Sequence, residues 1–157
     1  MKISTMALCS LACATLAAGG IDSAAAKGRK IAPVITENVD FAARQVRLMV
    51  DTMDTFRQIP SPRTTDKNGR LVFTSLDDWT SGFFPGTLWY LYELTGDSTW
   101  LRPAVHYTEG MERIKYYRGN HDIGFMIFCS FGNGLRLTDK PSYKDVIVTA
   151  ARTLSER

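Results

Sequence analysis

The chain has 157 residues, 45% of them apolar and 22% charged, enough for one ordinary domain and too apolar for a disordered polymer. Its net charge is +3 and no run of Lys and Arg forms a stripe, so nothing in the charge points to nucleic acid as a partner. Arg102, Arg113, Lys115 and Arg118 read as solvated helix charges.

The N-terminus reads as a leader rather than as fold. Lys2 gives a positive start, Ile3 to Ala18 is almost free of charge, and Ala24-Ala25-Ala26 supplies small residues before Lys27. That order is the one a secretory signal peptide needs, and it predicts removal of residues 1–26 and export to the periplasm or the medium. The apolar run is short and Ala-rich for a membrane span. Cys13 after Leu11-Ala12 keeps a lipoprotein alternative open, although Ser10 stands where such sites want an aliphatic residue. With Cys9 and Cys13 in the leader, residues 27–157 keep only Cys129, in the apolar stretch Phe125 to Phe131. No internal disulfide can form, and a buried core thiol is expected there rather than a nucleophile.

Five helical segments follow from the apolar spacing. The first is expected from about Glu37 to Arg57, with Val39, Val46, Met49, Val50, Met53 and Phe56 at helical intervals. Ile59-Pro60-Ser61-Pro62 stops it, Asn68-Gly69 marks a turn, and Leu71-Val72-Phe73 reads as a short strand. A loop from Asp77 to Gly86 leads into a second helix, Thr87 to Leu94. Gly96-Asp97-Ser98 reads as turn plus cap before a third helix, Thr99 to Tyr116, with Pro103 in its first turn, where proline is tolerated. Arg118-Gly119-Asn120 makes a turn into a fourth helix from His121-Asp122 to Leu137. Asp139 to Ser142 is again turn plus cap, and a fifth helix runs from Tyr143 through Leu154.

The second pair of helices repeats the first. Gly82-Phe83 answers to Gly124-Phe125, Leu94 to Leu137 and Trp100 to Tyr143, an offset of 42 to 43 residues. One helical hairpin cannot bury both of its faces, so such units stack or close on themselves. The interval differs from the ~34 residues of tetratricopeptide repeats. Six such hairpins would need roughly 250 residues, and this chain holds two and a half of them.

Two strings could carry chemistry, and both precede or open the first helix of a hairpin. In Asp78-Trp79-Thr80-Ser81-Gly82-Phe83-Phe84-Pro85-Gly86, aromatic side chains can cover the apolar face of a sugar ring and glycines let backbone approach a ligand. The plain alternative is that Trp79, Phe83 and Phe84 plug the end of the bundle while Asp77 and Asp78 cap or solvate it. In His121-Asp122-Ile123-Gly124-Phe125, Asp122 is either an N-cap, worth about 1 kcal/mol, or a carboxylate aimed into a cavity with an imidazole beside it. His106 and His121 are the only histidines and are not spaced as metal ligands on one face. Gly132-Asn133-Gly134 lacks the strand context and lysine of a phosphate loop.

Together, Asp78 to Gly86, Leu88-Trp89-Tyr90-Leu91-Tyr92-Glu93, Tyr107-Thr108-Glu109 and His121 to Phe125 resemble glycoside hydrolase family 88, the unsaturated glucuronyl hydrolases. The likeness runs from about Phe41 to Leu154. It implies an all-α fold, an (α/α)6 toroid of helical hairpins that residues 27–157 form only in part. It implies removal of a 4,5-unsaturated uronic acid from the non-reducing end of oligosaccharides left by polysaccharide lyases. No metal or organic cofactor is implied. Asp122 matches the first of two catalytic aspartates, and Trp79, Phe84 and His121 match the substrate-binding wall. The second aspartate lies further along the family pattern than this chain reaches, so the 157 residues alone are expected to be inactive. The related unsaturated rhamnogalacturonyl hydrolases, acting on pectin fragments, share this architecture. A non-catalytic helical-repeat protein that binds glycans is the alternative of another class.

Overall fold

The computed structural model describes the backbone from Asp22 and the side chains from Ala32 to Arg157. Residues 1–21, which carry most of the expected signal peptide and Cys13, lie outside the described residues. The segment up to Glu37 and the segment Asn38–Arg157 are separate compact units. The second unit holds the repeated helices and begins within helix α1 (Asp22–Met53).

After α1 comes a two-stranded antiparallel hairpin, β1 (Ser61–Thr65) and β2 (Leu71–Thr74). Its register pairs Ser61 with Thr74 and Thr65 with Leu71, with an irregularity between Pro62 and Thr64. The turn closes around Asp66, whose Oδ1 accepts the backbone N–H groups of Asn68 and Arg70 at 2.8 and 2.9 Å. Gly69 has φ +77° there, a conformation that favours glycine.

The helices follow in pairs. Helix α2 (Phe83–Thr95) opens four residues earlier than its apolar spacing suggests. It ends on Gly96 in the left-handed region, whose N–H donates to the Tyr92 carbonyl, an αL cap. A 3-10 turn (Ser98–Trp100), capped by Asp97 accepting from the Thr99 N–H, starts α3 (Leu101–Glu109). The expected long third helix breaks at Gly110, and a 3-10 segment (Glu112–Tyr116) replaces its end. A Cβ at Gly110 would overlap the Ile59 side chain, so the backbone here lies close against the connection between α1 and β1. The expected fourth helix is three consecutive segments: α4 (Ile123–Ile127), a π-helical stretch (Phe128–Gly132) and α5 (Asn133–Thr138). Asp139, at φ +52°, closes α5 with a bond to the Leu135 carbonyl. Pro141 opens α6 (Pro141–Ser155), where its missing N–H costs nothing.

Helix α2 and the α4–α5 run are parallel neighbours. Gly82 abuts the carbonyls of Phe125 and Met126, Gly86 abuts Cys129, and Trp89 reaches Gly134. Further along, Arg136 forks onto Glu93 at 2.6 and 2.7 Å, across a separation of 43 residues. The contacts advance together along both helices, as two copies of one hairpin laid side by side require. Between and behind them lies the core of Leu88, Trp89, Met126, Phe131 and Tyr143, all at most 2% exposed. The buried indole N–H of Trp89 donates to Thr108 Oγ1 at 2.9 Å, which spares it the cost of an unmade bond.

Candidate active site

Two equivalent turns deliver the chain to these parallel helices. In the first, Asp78 Oδ1 accepts from the Thr80 N–H at 2.9 Å. In the second, Asn120 Oδ1 accepts from the Asp122 N–H at 2.9 Å. A short polar side chain here substitutes for a backbone turn. The Thr80 carbonyl then accepts from Phe83 N–H at 3.0 Å, and the Asp122 carbonyl from Phe125 N–H at 2.9 Å. The middle residue of each turn points outward: Trp79 is 41% exposed and the His121 side chain 80% exposed. The parallel packing puts both turns at one end of the helix pair. In the sequence the two copies align by residue type only from Gly82 and Gly124 onward. The match of Asp78 with Asn120 stands in the same register, but the residue types differ and conceal it.

The two carboxylates of these turns are in opposite situations. Asp78 is fully engaged: its Oδ1 also accepts from Thr80 Oγ1 at 2.5 Å and its Oδ2 pairs with Arg63 of β1. Burial would raise its pKa, but the Thr80 bonds, the Arg63 charge and the Thr74 hydroxyl outweigh that and hold it below the usual value. Asp122 makes no side-chain capping bond at the start of α4, because Asn120 has taken the polar role in the turn. Its carboxylate is 23% exposed, with His121 Nε2 3.4 Å away.

Beside these groups runs a row of outward aromatic rings. Trp79 meets Phe83 edge-on with centroids 5.7 Å apart, and Phe83 meets Phe125 edge-on at 6.2 Å. Phe83 and Phe125 are 39% and 52% exposed. Phe84, expected in a sugar-binding wall, is instead 6% exposed and stacks edge-on against Tyr107 at 5.0 Å, inside the core. The reason is local. The helix begins at Phe83, not Thr87, so neighbouring residues diverge by ~100° around its axis, and only one of Phe83 and Phe84 can face out. Phe83 and Phe125 join the row without standing out in the sequence as binding residues. Cys129, expected as a buried core thiol, is only partly buried; what burial it has raises its pKa, which disfavours the reactive thiolate.

No protein-family model matches the chain. Among curated proteins, an unsaturated glucuronyl hydrolase of Formosa agariphila is 52% identical over 81 residues, which are 51% of this chain and 20% of that protein. An unsaturated chondroitin disaccharide hydrolase of Streptococcus pyogenes is 30% identical over 127 residues, 78% of this chain and 31% of the relative. Among solved structures, an unsaturated glucuronyl hydrolase specific for heparin matches with a TM-score of 0.69 and 35% identity, over 77% of this chain and 32% of that one. The chain therefore spans about a fifth to a third of the length of these relatives. The hairpins described above are those of an (α/α) toroid, the architecture of the structures matched.

Proposed function

From a chain that belongs to the unsaturated glucuronyl hydrolase family, we propose that the protein removes a 4,5-unsaturated uronic acid of the glucuronyl type from the non-reducing end of lyase-generated oligosaccharides. Relatives support the substrate class: one acts on chondroitin disaccharides, one is specific for heparin, and one is solved with dGlcA-Glc-Rha-Glc. The observation that carries the reading for this chain is the state of Asp122. It stands where an N-cap would be, yet its carboxylate is not spent on the helix. It stays partly exposed beside His121, one turn from the exposed ring of Phe125.

The chemistry gives such a group a task. The substrate carries an enol ether at C4=C5. Protonation at C4 leaves an oxocarbenium-like centre at C5, water adds there, and the hemiketal opens to release the aglycone. The proton goes to carbon rather than to the leaving oxygen as in ordinary glycoside hydrolysis. A carboxylate near C5 steadies the developing cation, and it keeps a partner carboxyl protonated by raising that partner's pKa. We assign the first role to Asp122. The partner is the second aspartate, which the family resemblance places further along than Arg157. Trp79, Phe83 and Phe125 form the apolar surface against which the sugar rings lie, and His121 donates to a substrate oxygen. Export through residues 1–26 belongs to the same proposal.

The test uses an enzyme of the relatives' length that contains these residues, and follows loss of absorbance from the unsaturated bond of a lyase-generated disaccharide. Asp122→Asn lowers kcat by roughly a hundred- to a thousand-fold, the usual worth of one preorganised group that stabilises transition-state charge, with the helical circular dichroism unchanged. An unimpaired variant would show that Asp122 only shapes its turn.

A further inference from the structure

Beneath the turn that carries Trp79 lies a small, partly open cavity with an unusual lining. It is about 10 Å³ in volume, and its walls include Ser61 at the start of β1 and Ser81 at the entry to α2. Both serines are 2% exposed, and neither hydroxyl has a hydrogen-bond partner among the described residues. The one other buried side-chain oxygen without a hydrogen bond there, Asp77 Oδ1, has Arg113 Nη2 3.1 Å away as an ion-pair partner. The serines have no such relief. Three of their cavity neighbours are Pro60, Pro62 and Pro85, which have no N–H to give. Phe84 and Met111 complete an apolar wall, and the Tyr107 hydroxyl is turned to Asp54.

An orphaned buried hydroxyl costs about 1–3 kcal/mol, and two on residues that line one cavity are rare in native folds. The space is of the size that admits one water, since a site of ~10–15 Å³ is the least that holds one. The second hairpin shows the alternative solution. The residue equivalent to Ser81 is Ile123, which is 1% exposed and leaves no hydroxyl to satisfy.

We infer that a single water molecule is bound between β1 and the Trp79 turn, held by the hydroxyls of Ser61 and Ser81. Each hydroxyl donates to or accepts from it, and the bridge ties the aromatic turn to the β-hairpin from beneath. Arg63 and Asp78 tie the same two elements from the outer side. The inference is independent of the catalytic proposal.

Two measurements test it. A high-resolution crystal structure of the wild-type chain should show a water within hydrogen-bond reach of both Oγ atoms; hydroxyls bonded to carbonyls with no water between them would overturn the inference. The second is a double-mutant cycle read as the urea midpoint of unfolding. Ser61→Ala and Ser81→Ala each lower the midpoint by a similar amount, because each strands the other hydroxyl. The double variant falls no lower than the worse single one. Losses that add would mean that the serines do not share a partner. If either variant fails to fold, the wild-type crystal structure decides alone.

Discussion

Asp78 and Asn120 hold the same turn with different chemistry, and that difference can be read out by titration. Asp78 is a charged residue whose folded pKa is depressed. Such a group contributes stability above its unfolded pKa and loses it as pH falls through the folded value. Asp78→Asn keeps the amide oxygen that Asn120 uses, so the turn survives while the charge that faces Arg63 is gone. The expected result is a small loss of stability at neutral pH that fades as the pH drops below the ordinary carboxylate value of 3.8. Asp78→Ala also removes the acceptor for Thr80 and costs roughly 1 kcal/mol at neutral pH, as lost caps do. Urea unfolding of both variants between pH 7 and pH 2 checks this, and a pH-independent difference for Asp78→Asn would show that the Thr80 bonds and Arg63 do not favour the charged Asp78 in solution. At this scale the sequence is only partly legible. Asp122 and Trp79 are distinguishable by their neighbours. The division of Phe83 from Phe84 is not, because it depends on where the helix begins, and two adjacent rings at a helix start look alike on paper.

Among the elements, the contact of α2 with α4–α5 depends on backbone approaching backbone. A Cβ on Gly82 would overlap the Met126 carbonyl oxygen, and one on Gly86 would lie 2.9 Å from the Cys129 carbonyl oxygen. Neither neighbour is a flexible side chain that could move aside. Gly82→Ala is therefore expected to destabilise by about 1–3 kcal/mol, the range for overpacked interiors. Its counterpart Gly124 has nothing within 4 Å of a built Cβ and sits inside α4. Gly124→Ala is expected to stabilise by about 0.4–1 kcal/mol through the unfolded chain. Thermal midpoints of the two variants should move in opposite directions, and a common direction would contradict the packing described. Helix order and pairing are legible from apolar spacing, since a hairpin with one buried face repeats its pattern. The close approach of Gly110 to Ile59, some fifty positions away in the chain, is not, because no local pattern carries that information.

For the whole molecule, the chain spans about a third or less of its relatives' length, and the proposed reaction calls for two carboxyls, of which Asp122 is proposed as one. The 157 residues by themselves are predicted to show no turnover of an unsaturated disaccharide, while an enzyme of the relatives' length containing them does. Turnover by the shorter chain would mean that the catalytic acid lies within it. The repeat itself says something about how such a molecule can change. Trp79-Thr80 and His121-Asp122 occupy the same place in successive copies, so one stretch of backbone displays an exposed indole in one copy and a carboxylate in the next. The register is 42 residues at Gly82 and Gly124 but 43 at Leu94 and Leu137, and the π-helical stretch Phe128–Gly132 lies between those points. A wide turn of this kind accommodates one surplus residue within a helix. Beyond it Glu93 still meets Arg136, and the left-handed closures at Gly96 and Asp139 still correspond. The one-residue difference between the two copies is thus absorbed within that turn. Duplicated units that quarantine their own length changes are free to diverge one socket at a time, which is how a ring of like parts acquires an active site with unlike members.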